Sequence, residues 1–284
     1  MNEENDLGMV RYVPVTKRTG LDRELFQRYW RDLHGPMCAG IDGLHLYVQQ
    51  HFGEMQPDLW LTDNRVSTKV QGADRFDGVA ECSFRTVADF DRWRHAAEHL
   101  KDDEQNCFDG TYGHYSVDGR SRTTKADVDR AARGCLTVVA LIRRKEGVAD
   151  VRFREFIRDE LVPIFTRSPH VLRCRYHLLE AFETHEDAWH AATVNHHLPT
   201  SQQFHAAVEF VVESRLALRR FFETDGYVAS IQGQGELFGS VHPYPVCCNV
   251  VLVEAGGLTL DGRLGWSNAE LARKIGAINV VDGH

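Results

Sequence analysis

The sequence lacks the long apolar runs, signal-like ends and cysteine pairs that mark several large classes of protein. No stretch of about 18 apolar residues occurs, so we expect no membrane span. The first residues, MNEENDLG, have neither the basic nor the apolar part of a secretion signal. No two of the seven cysteines have the two-residue spacing of zinc and redox motifs. We therefore expect a cytoplasmic protein with reduced, mostly buried cysteines.

Positive charge and phosphate-binding motifs are also scarce. The 33 Lys and Arg residues face 41 Asp and Glu residues, and the net charge of −8 argues against a nucleic-acid binder. No glycine-rich phosphate loop and no Gly-x-Ser-x-Gly motif are present, and GQGELFG near Gly233 indicates a turn or bulge. The hydrophobic fraction of 43% is enough for a packed core. At roughly 150 residues per domain, the length corresponds to about two domains.

The chain contains an internal repeat. Residues 11–36 align without a gap with residues 138–163, and Gly20, Phe26 and Pro36 meet identical residues. Each segment has an apolar run, a turn at glycine and apolar residues at helical spacing, which indicates a strand followed by a helix.

The repeat continues if the second copy has one extra residue. LHLYVQQH then aligns with LRCRYHLL, and FDGVAECSF with FHAAVEFVV. These stretches alternate as half-buried strands do, and each pair is followed by a helical stretch. We place the last strand of each copy at TYGHYSV and at ASIQGQGELF. Each copy thus reads βαββαβ, the ferredoxin-like unit.

These patterns predict an α+β protein of two fused ferredoxin-like units whose antiparallel sheets pack into one barrel-like body. The repeats span residues 1–126 and 127–255. Residues 256–284 form a tail, with a helix after Ser267, that covers a surface or an interface.

Strand alternation predicts which side chains face the barrel interior. We expect Leu44, Leu46 and Val48 to face the helices. The polar or charged residues expected inside are His45, Tyr47, Glu81, Arg173, Arg175, His177 and Glu209. Such groups are costly to bury without partners or a ligand, so the interior is a candidate small-molecule site. The alternative is that Glu81 pairs with an arginine across the barrel and holds the two halves together.

Three segments carry a resemblance to a known family. They are FQRYWRDLHGPMCAGIDGLHLYVQQH, DGVAECSF and KDDEQNCFDG. Together they resemble the EthD-like family of dimeric α+β barrel proteins, closely over residues 9–118 and more weakly in the second copy. Members of the family dimerise to build the barrel, whereas this chain looks like a fused tandem. A homodimer of the whole chain remains open.

The resemblance implies a type of chemistry. Similar proteins include enzymes without a bound cofactor that act on aromatic, polyketide or lactone intermediates by dehydration, cyclisation, isomerisation or quinone-forming oxygenation. His34 stands at the family's histidine position, where the second copy has Leu161. In our alignment Tyr47 meets Arg175. The two halves are therefore expected to differ chemically.

The residue types indicate proton transfer. His34 can accept a proton from a carbon acid, Tyr47 can donate a hydrogen bond to an enolate or phenolate, and desolvation could raise the pKa of Glu81. The alternative for His34 is to cap a helix C-terminus. We assign catalytic roles to His34, Tyr47, Glu81 and His45, and substrate-binding roles to Arg173, Arg175, His177, Glu209, Trp30 and Trp189.

The histidines around Trp189 do not have the spacing of a standard metal site, and we expect a loop lining the pocket rim. We therefore predict no metal and no cofactor. The predicted function is a lyase or isomerase for a small aromatic, polyketide-like or lactone substrate. The alternatives are a haem- or metal-dependent enzyme of the same superfamily and a non-catalytic small-molecule-binding protein. We predict neither a nucleic-acid nor a membrane partner.

Overall fold

A computed structural model describes residues 7–69, 75–130, 132–180 and 191–274. Among these residues, no helix has both the length and the apolar character needed to cross a bilayer.

The first repeat has the predicted order of elements. Asp22 caps its first helix by accepting a hydrogen bond from the Leu25 backbone N–H at 2.7 Å. Thr86 and Asp89 form a capping box on a later helix. The elements are β1 (Met9–Lys17), α1 (Arg23–Tyr29), a π-helical turn (Trp30–His34), α2 (Gly35–Ala39), β2 (Leu46–Phe52), β3 (Gly78–Phe84), α3 (Val87–Ala96), α4 (Leu100–Cys107), β4 (Phe108–Thr111) and β5 (His114–Val117).

The second repeat follows a connecting strand and has the same order, including a π-helical turn at the equivalent position. The connecting strand is β6 (Ser121–Ala126). The elements of the second repeat are β7 (Leu136–Arg144), α5 (Asp150–Glu155), the π-helical turn (Phe156–Leu161), α6 (Val162–Arg167), β8 (Val171–Leu178), β9 (Ala206–Val212), α7 (Arg215–Phe222), α8 (Asp225–Leu237) and β10 (Phe238–Glu254).

The prediction of a strand at ASIQGQGELF was wrong, because this segment lies in α8 and β10 begins only at Phe238. Tyr227, Ser230, Gln234 and Leu237 are the buried side chains, at intervals of three and four residues. Gly233 is part of the helix, not a turn, and a Cβ there would lie 2.5 Å from the Phe156 ring. The glycine therefore permits close packing of α8 on the π-helical turn.

Among the described residues, nine main strands form one antiparallel sheet in the order β4-β1-β3-β2-β10-β7-β9-β8-β6, and β5 also pairs with β1. The first half of β10 pairs with β7 of its own repeat, and the second half pairs with β2 of the other repeat. Similarly, β5 pairs with β1 while β6 pairs with β8. Each repeat thus extends its last strand onto the other repeat, and this confirms the predicted barrel of two ferredoxin-like units.

The C-terminal segment packs on the first repeat. It contains β11 (Gly257–Leu258), α9 (Leu260–Leu264) and α10 (Trp266–Lys274). Ser267 donates hydrogen bonds from its backbone N–H and its hydroxyl to Asp32 at 2.9 and 2.6 Å. The Arg31 guanidinium lies over the Trp266 ring, 4.3 Å from its centroid. The segment therefore covers the π-helical turn that carries His34.

Strand β2 has the opposite facing from the one predicted. Tyr47 lies opposite Cys82 and Val48 lies opposite Glu81, so Tyr47 faces the helices and Val48 faces the barrel interior. All seven residues of β2 are buried. A strand buried on both faces gives no reliable hydrophobic alternation, which explains the error.

The same register corrects the alignment of the repeats. Cys174 lies opposite Phe210 in the second repeat, as Tyr47 lies opposite Cys82 in the first. The extra residue of the second copy therefore follows its second strand. The counterpart of Tyr47 is Cys174, not Arg175.

Candidate functional site

The predicted site residues lie in two groups on opposite faces of the sheet. One group fills part of the barrel interior and comprises Glu81, Arg173, Arg175, His177 and Glu209. The other group lies between the sheet and the helices of the first repeat and comprises Trp30, His34 and Tyr47.

Glu81 is at the centre of an ion-pair network in the barrel and is 1% exposed. Its Oε1 accepts a hydrogen bond from Arg175 Nη2 at 2.5 Å, and its Oε2 accepts one from Arg130 Nη1 at 2.9 Å. Burial alone would raise the pKa of Glu81, but the two guanidinium groups outweigh it and hold the pKa well below its usual range. Desolvation therefore does not raise the pKa of Glu81, because the arginine pairing of the alternative interpretation is present.

Glu209 extends this network across both repeats. Its Oε2 accepts a hydrogen bond from Gln50 Nε2 at 3.1 Å, and its Oε1 lies 3.2 Å from His177 Nε2. Burial favours a raised pKa of Glu209, yet the contact with His177 outweighs it and lowers the pKa. The cavity beside the network measures about 10 Å³, which is the space of about one water molecule. The geometry is that of the alternative interpretation, in which Glu81 and its arginines hold the halves together.

Glu81, His177 and Glu209 are also close enough to be considered as metal ligands. Their donor atoms lie within 4.8 Å of one another. However, Glu81 already binds Arg175 and Arg130, and a divalent cation there would lie beside two guanidinium charges. These residues therefore do not fit a metal ion.

Three predicted residues remain, of which Arg173 belongs to the interior group and His45 belongs to neither group. His45 precedes β2, where its Nδ1 accepts a hydrogen bond from Arg85 Nε at 3.2 Å; it does not face the barrel interior as predicted, because it shares the misassigned phase of β2. Arg173 lines the small interior cavity and donates to the Val128 carbonyl at 3.3 Å. Trp189 lies outside the described residues.

The second centre is a largely apolar cavity of about 40 Å³ between sheet and helices. Tyr47, Ala80 and Cys82 line its sheet side. The side chains on its helix side include Trp30, His34, Cys38, Trp93 and Leu100. His34 and Cys38 are therefore among its few groups that can exchange a proton.

His34 ends the π-helical turn and is 5% exposed. Its Nδ1 donates a hydrogen bond to Asp103 Oδ2 at 2.7 Å, and its Nε2 lies 3.4 Å from Cys38 Sγ. Because Asp103 binds Nδ1, the imidazole presents Nε2 toward Cys38. The imidazole binds the Asp103 carboxylate, and His34 also lies in the last turn of the π-helical segment, the place that the alternative interpretation gives it.

The protonation states of His34 and Asp103 are set by the groups around them. Burial alone would lower the pKa of His34, but the electrostatic interaction with Cys38 and the hydrogen bond to Asp103 outweigh it and raise the pKa to about 10. Burial would raise the pKa of Asp103, whereas hydrogen bonds from His34 and Tyr29 lower it to about 2. The pair is therefore an imidazolium and a carboxylate at neutral pH.

Tyr47 supplies a hydroxyl group on the opposite wall of the cavity. Its oxygen accepts a hydrogen bond from Gln49 Nε2 at 2.9 Å, and Gln49 also donates to the Trp30 carbonyl at 3.0 Å. Burial raises the pKa of Tyr47 well above its usual range. The neutral phenol is therefore a hydrogen-bond donor rather than a base.

The second repeat covers the cavity of the first. His196 Nδ1 lies 2.8 Å from Thr111 Oγ1, and His196 Nε2 lies 3.6 Å from Glu104 Oε2. Thr111 and Glu104 both line the cavity. Conversely, Trp60 of the first repeat packs into the helix-facing core of the second and stacks on Phe165 with centroids 5.6 Å apart.

Sequence reasoning missed three residues that define these centres. Asp103 lies within KDDEQNCFDG, but nothing in the spacing connects it to a histidine 69 positions earlier. Cys38 is four residues after His34, and this i, i+4 spacing is a signal that was available. Arg130 lies in the polar junction between the repeats, a region that composition alone marks as exposed.

One family model and several solved structures are similar to this chain. Residues 18–111 match the model of the EthD domain, and no curated protein sequence matches the chain. A Fusobacterium nucleatum protein described as a candidate monooxygenase has a TM-score of 0.54 and 9% identity, over 89% of this chain and 96% of that chain. An anthrone oxidase-like protein has a TM-score of 0.52 and 10% identity, over 88% and 95%. Residues 18–111 of the first repeat are therefore similar to the EthD domain, and the whole chain shares its fold with these two solved structures.

Proposed function

We propose that this protein is an enzyme that catalyses proton transfer on a small, uncharged, oxygen-bearing molecule, as a lyase or isomerase without a bound cofactor. The site is the cavity of the first repeat. The observation that carries the proposal is the imidazole of His34, fixed by Asp103 at 2.7 Å, in an otherwise largely apolar cavity that also contains the Tyr47 hydroxyl.

The protonation states of His34, Tyr47 and Asp103 suggest the role of each residue in the reaction. His34 is protonated at neutral pH, so it is the proton donor to a leaving hydroxyl or to an enolate oxygen, rather than the resting base expected from the sequence. Tyr47 donates a second hydrogen bond to the same developing negative charge. Asp103 is a positioning residue that fixes the ring and keeps Nδ1 protonated.

The lining of the cavity defines the class of substrate. Apolar walls favour an aromatic, polyketide-like or lactone molecule over a charged one. The cavity of about 40 Å³ is smaller than the roughly 150 Å³ that benzene occupies in an engineered cavity. Binding of a ring therefore requires side chains at the rim to move, and His196 with its contacts to Thr111 and Glu104 is the group we assign to this movement.

The test is a turnover assay on a panel of uncharged aromatic ketones, hydroxyanthrones and lactones, followed by mass spectrometry of the products and measurement of dissolved oxygen. We expect a product formed without oxygen uptake, with turnover lost in His34→Gln and reduced in Tyr47→Phe. His45→Gln is the matched control, because His45 lies outside the cavity.

Two results would overturn the proposal. One is turnover that persists in His34→Gln. The other is a reaction that consumes one oxygen molecule per product, which would identify an oxidase instead of a lyase or isomerase.

A further inference from the structure

Cys38 lines the cavity of the first repeat and contacts the imidazole of His34 there. It lies on α2, one helical turn after His34, and is 6% exposed. Its Sγ lies 3.4 Å from His34 Nε2, and Asp103 holds the other imidazole nitrogen at 2.7 Å. Thiol, imidazole and carboxylate thus form a continuous chain, in the order that activates a nucleophilic cysteine.

The groups facing Cys38 are of mixed charge. The Tyr47 hydroxyl approaches the sulfur from the sheet. The other titratable or charged groups that line the same cavity or act on Cys38 and His34 are Arg11 on β1, Cys82 on β3, and Glu104 and Cys107 on α4. The His34 imidazolium and the Tyr47 phenol can both donate a hydrogen bond to the sulfur.

We propose that Cys38 is the nucleophile of this cavity and adds to the β-carbon of α,β-unsaturated carbonyl compounds. The proposal rests on the proposed function, since it uses the same cavity and gives His34 its partner. In the reacting state the proton is on His34 Nε2 and the negative charge is on the Cys38 sulfur. The sulfur then forms a bond to the β-carbon, and the π electron pair of the C=C bond moves to the carbonyl oxygen as an enolate.

The remaining steps return the enzyme to its starting state. His34 donates a hydrogen bond to the enolate oxygen while the adduct rotates about its Cα–Cβ bond, which is now single. The enolate electron pair then re-forms the double bond and expels the thiolate by breaking the S–C bond, so the product is the geometric isomer of the substrate and the proton stays on His34. No oxidant or reductant is needed, because the electron pair that leaves the C=C bond returns to it.

The cavity contains its own control. Cys82 lines the same cavity from the sheet side, so a reagent that reaches Cys38 also approaches Cys82. None of the described hydrogen bonds joins Cys82 to an imidazole, and burial raises its pKa. A difference in reactivity between the two thiols therefore reports the effect of His34 rather than access.

The first experiment is alkylation of the native protein with acrylamide, a small uncharged conjugate acceptor, between pH 6 and 8, with the labelled peptides quantified by mass spectrometry. We expect Cys38 to react at least about ten times faster than Cys82 at neutral pH, and the ratio to fall to about one in His34→Gln. Equal rates, or faster labelling of Cys82, would overturn the proposal.

The second experiment does not depend on reagent access. Thiolate absorbance at 240 nm is compared between the wild type and Cys38→Ser, with Cys82→Ser as the matched control and circular dichroism as the test of folding. We expect one additional thiolate at neutral pH in the wild type and in Cys82→Ser, but not in Cys38→Ser. Absence of this thiolate overturns the proposal, and so does a thiolate that no acceptor alkylates.

The turnover assay separates this proposal from the one on which it rests. If Cys38→Ser retains turnover while His34→Gln loses it, Cys38 is not the nucleophile and the proposed function stands. If His34→Gln retains turnover, the proposed function fails. A covalent adduct on Cys38 with an unsaturated ketone, lost on removal of the ketone, supports both.

Discussion

Replacement of Glu81 by glutamine separates a structural role of the barrel interior from a catalytic one. The substitution leaves the size of the side chain unchanged and removes the negative charge that Arg175 and Arg130 contact at 2.5 and 2.9 Å. Glu81 and Arg175 are each 1% exposed, so water cannot replace the lost partner. Removing one partner of a buried ion pair costs about 3–5 kcal/mol. We therefore expect the free energy of unfolding to fall by about that amount.

The assay is thermal unfolding followed by circular dichroism, with urea unfolding as a second measurement. A loss of this size corresponds to a fall in Tm of roughly 10 °C for a chain of this length. The double substitution Glu81→Gln with Arg175→Met should be less destabilising than the sum of the single substitutions, because it removes one of the unpaired charges. Turnover measured well below the Tm should persist. An unchanged Tm together with lost turnover would refute this reasoning and make Glu81 catalytic.

Three further outcomes follow from particular contacts. The pKa of Asp103 is lowered to about 2, so this residue stabilises the fold at pH values above the usual aspartate pKa, and the stabilisation is lost as the pH falls to about 2. The pKa of His34 is raised to about 10, so its stabilisation is lost as the pH rises toward about 10. The urea midpoint of Asp103→Asn should therefore depend less on pH than that of the wild type, and parallel profiles would contradict the pairing. Trp60→Ala should destabilise by about 3–5 kcal/mol in urea unfolding while leaving turnover in the first repeat unchanged. Loss of that turnover would show that the two cores are coupled. Gly35→Ala would place a Cβ 2.6 Å from Gln49 Nε2, and it should destabilise by about 1–3 kcal/mol in the same assay, whereas wild-type stability would contradict the close packing.

The repeat determines most of the fold, and it is visible in the sequence because glycine, aromatic and proline positions coincide in both copies. The sequence does not show which side chains of β2 point toward the helices and which toward the barrel interior, because both faces of the strand are buried and polar residues lie on each. For β3, Glu81 was correctly placed inside, because Ala80, Cys82 and Phe84 form an apolar face against the helices.

The site was only partly predictable for a related reason. The family resemblance identified His34, but the partners that set its charge come from two different places. Cys38 is on the next helical turn, whereas Asp103 comes from α4 and meets His34 only after the sheet and helices have packed. Likewise, Arg130 reaches Glu81 only because the junction between the repeats passes over the barrel. Long-range pairs of this kind leave no periodic signal in a single sequence.

The central claim is that the substrate binds between the sheet and the helices of the first repeat rather than between the two sheets. The most direct measurement is a crystal structure of the protein soaked with phenol, the smallest uncharged aromatic probe with a hydroxyl group. We expect electron density for the ring beside Trp30, with the phenol oxygen within hydrogen-bond distance of His34 Nε2 or the Tyr47 hydroxyl. Density for phenol among Glu81, Arg175 and Glu209, with the cavity of the first repeat unchanged, would contradict the account.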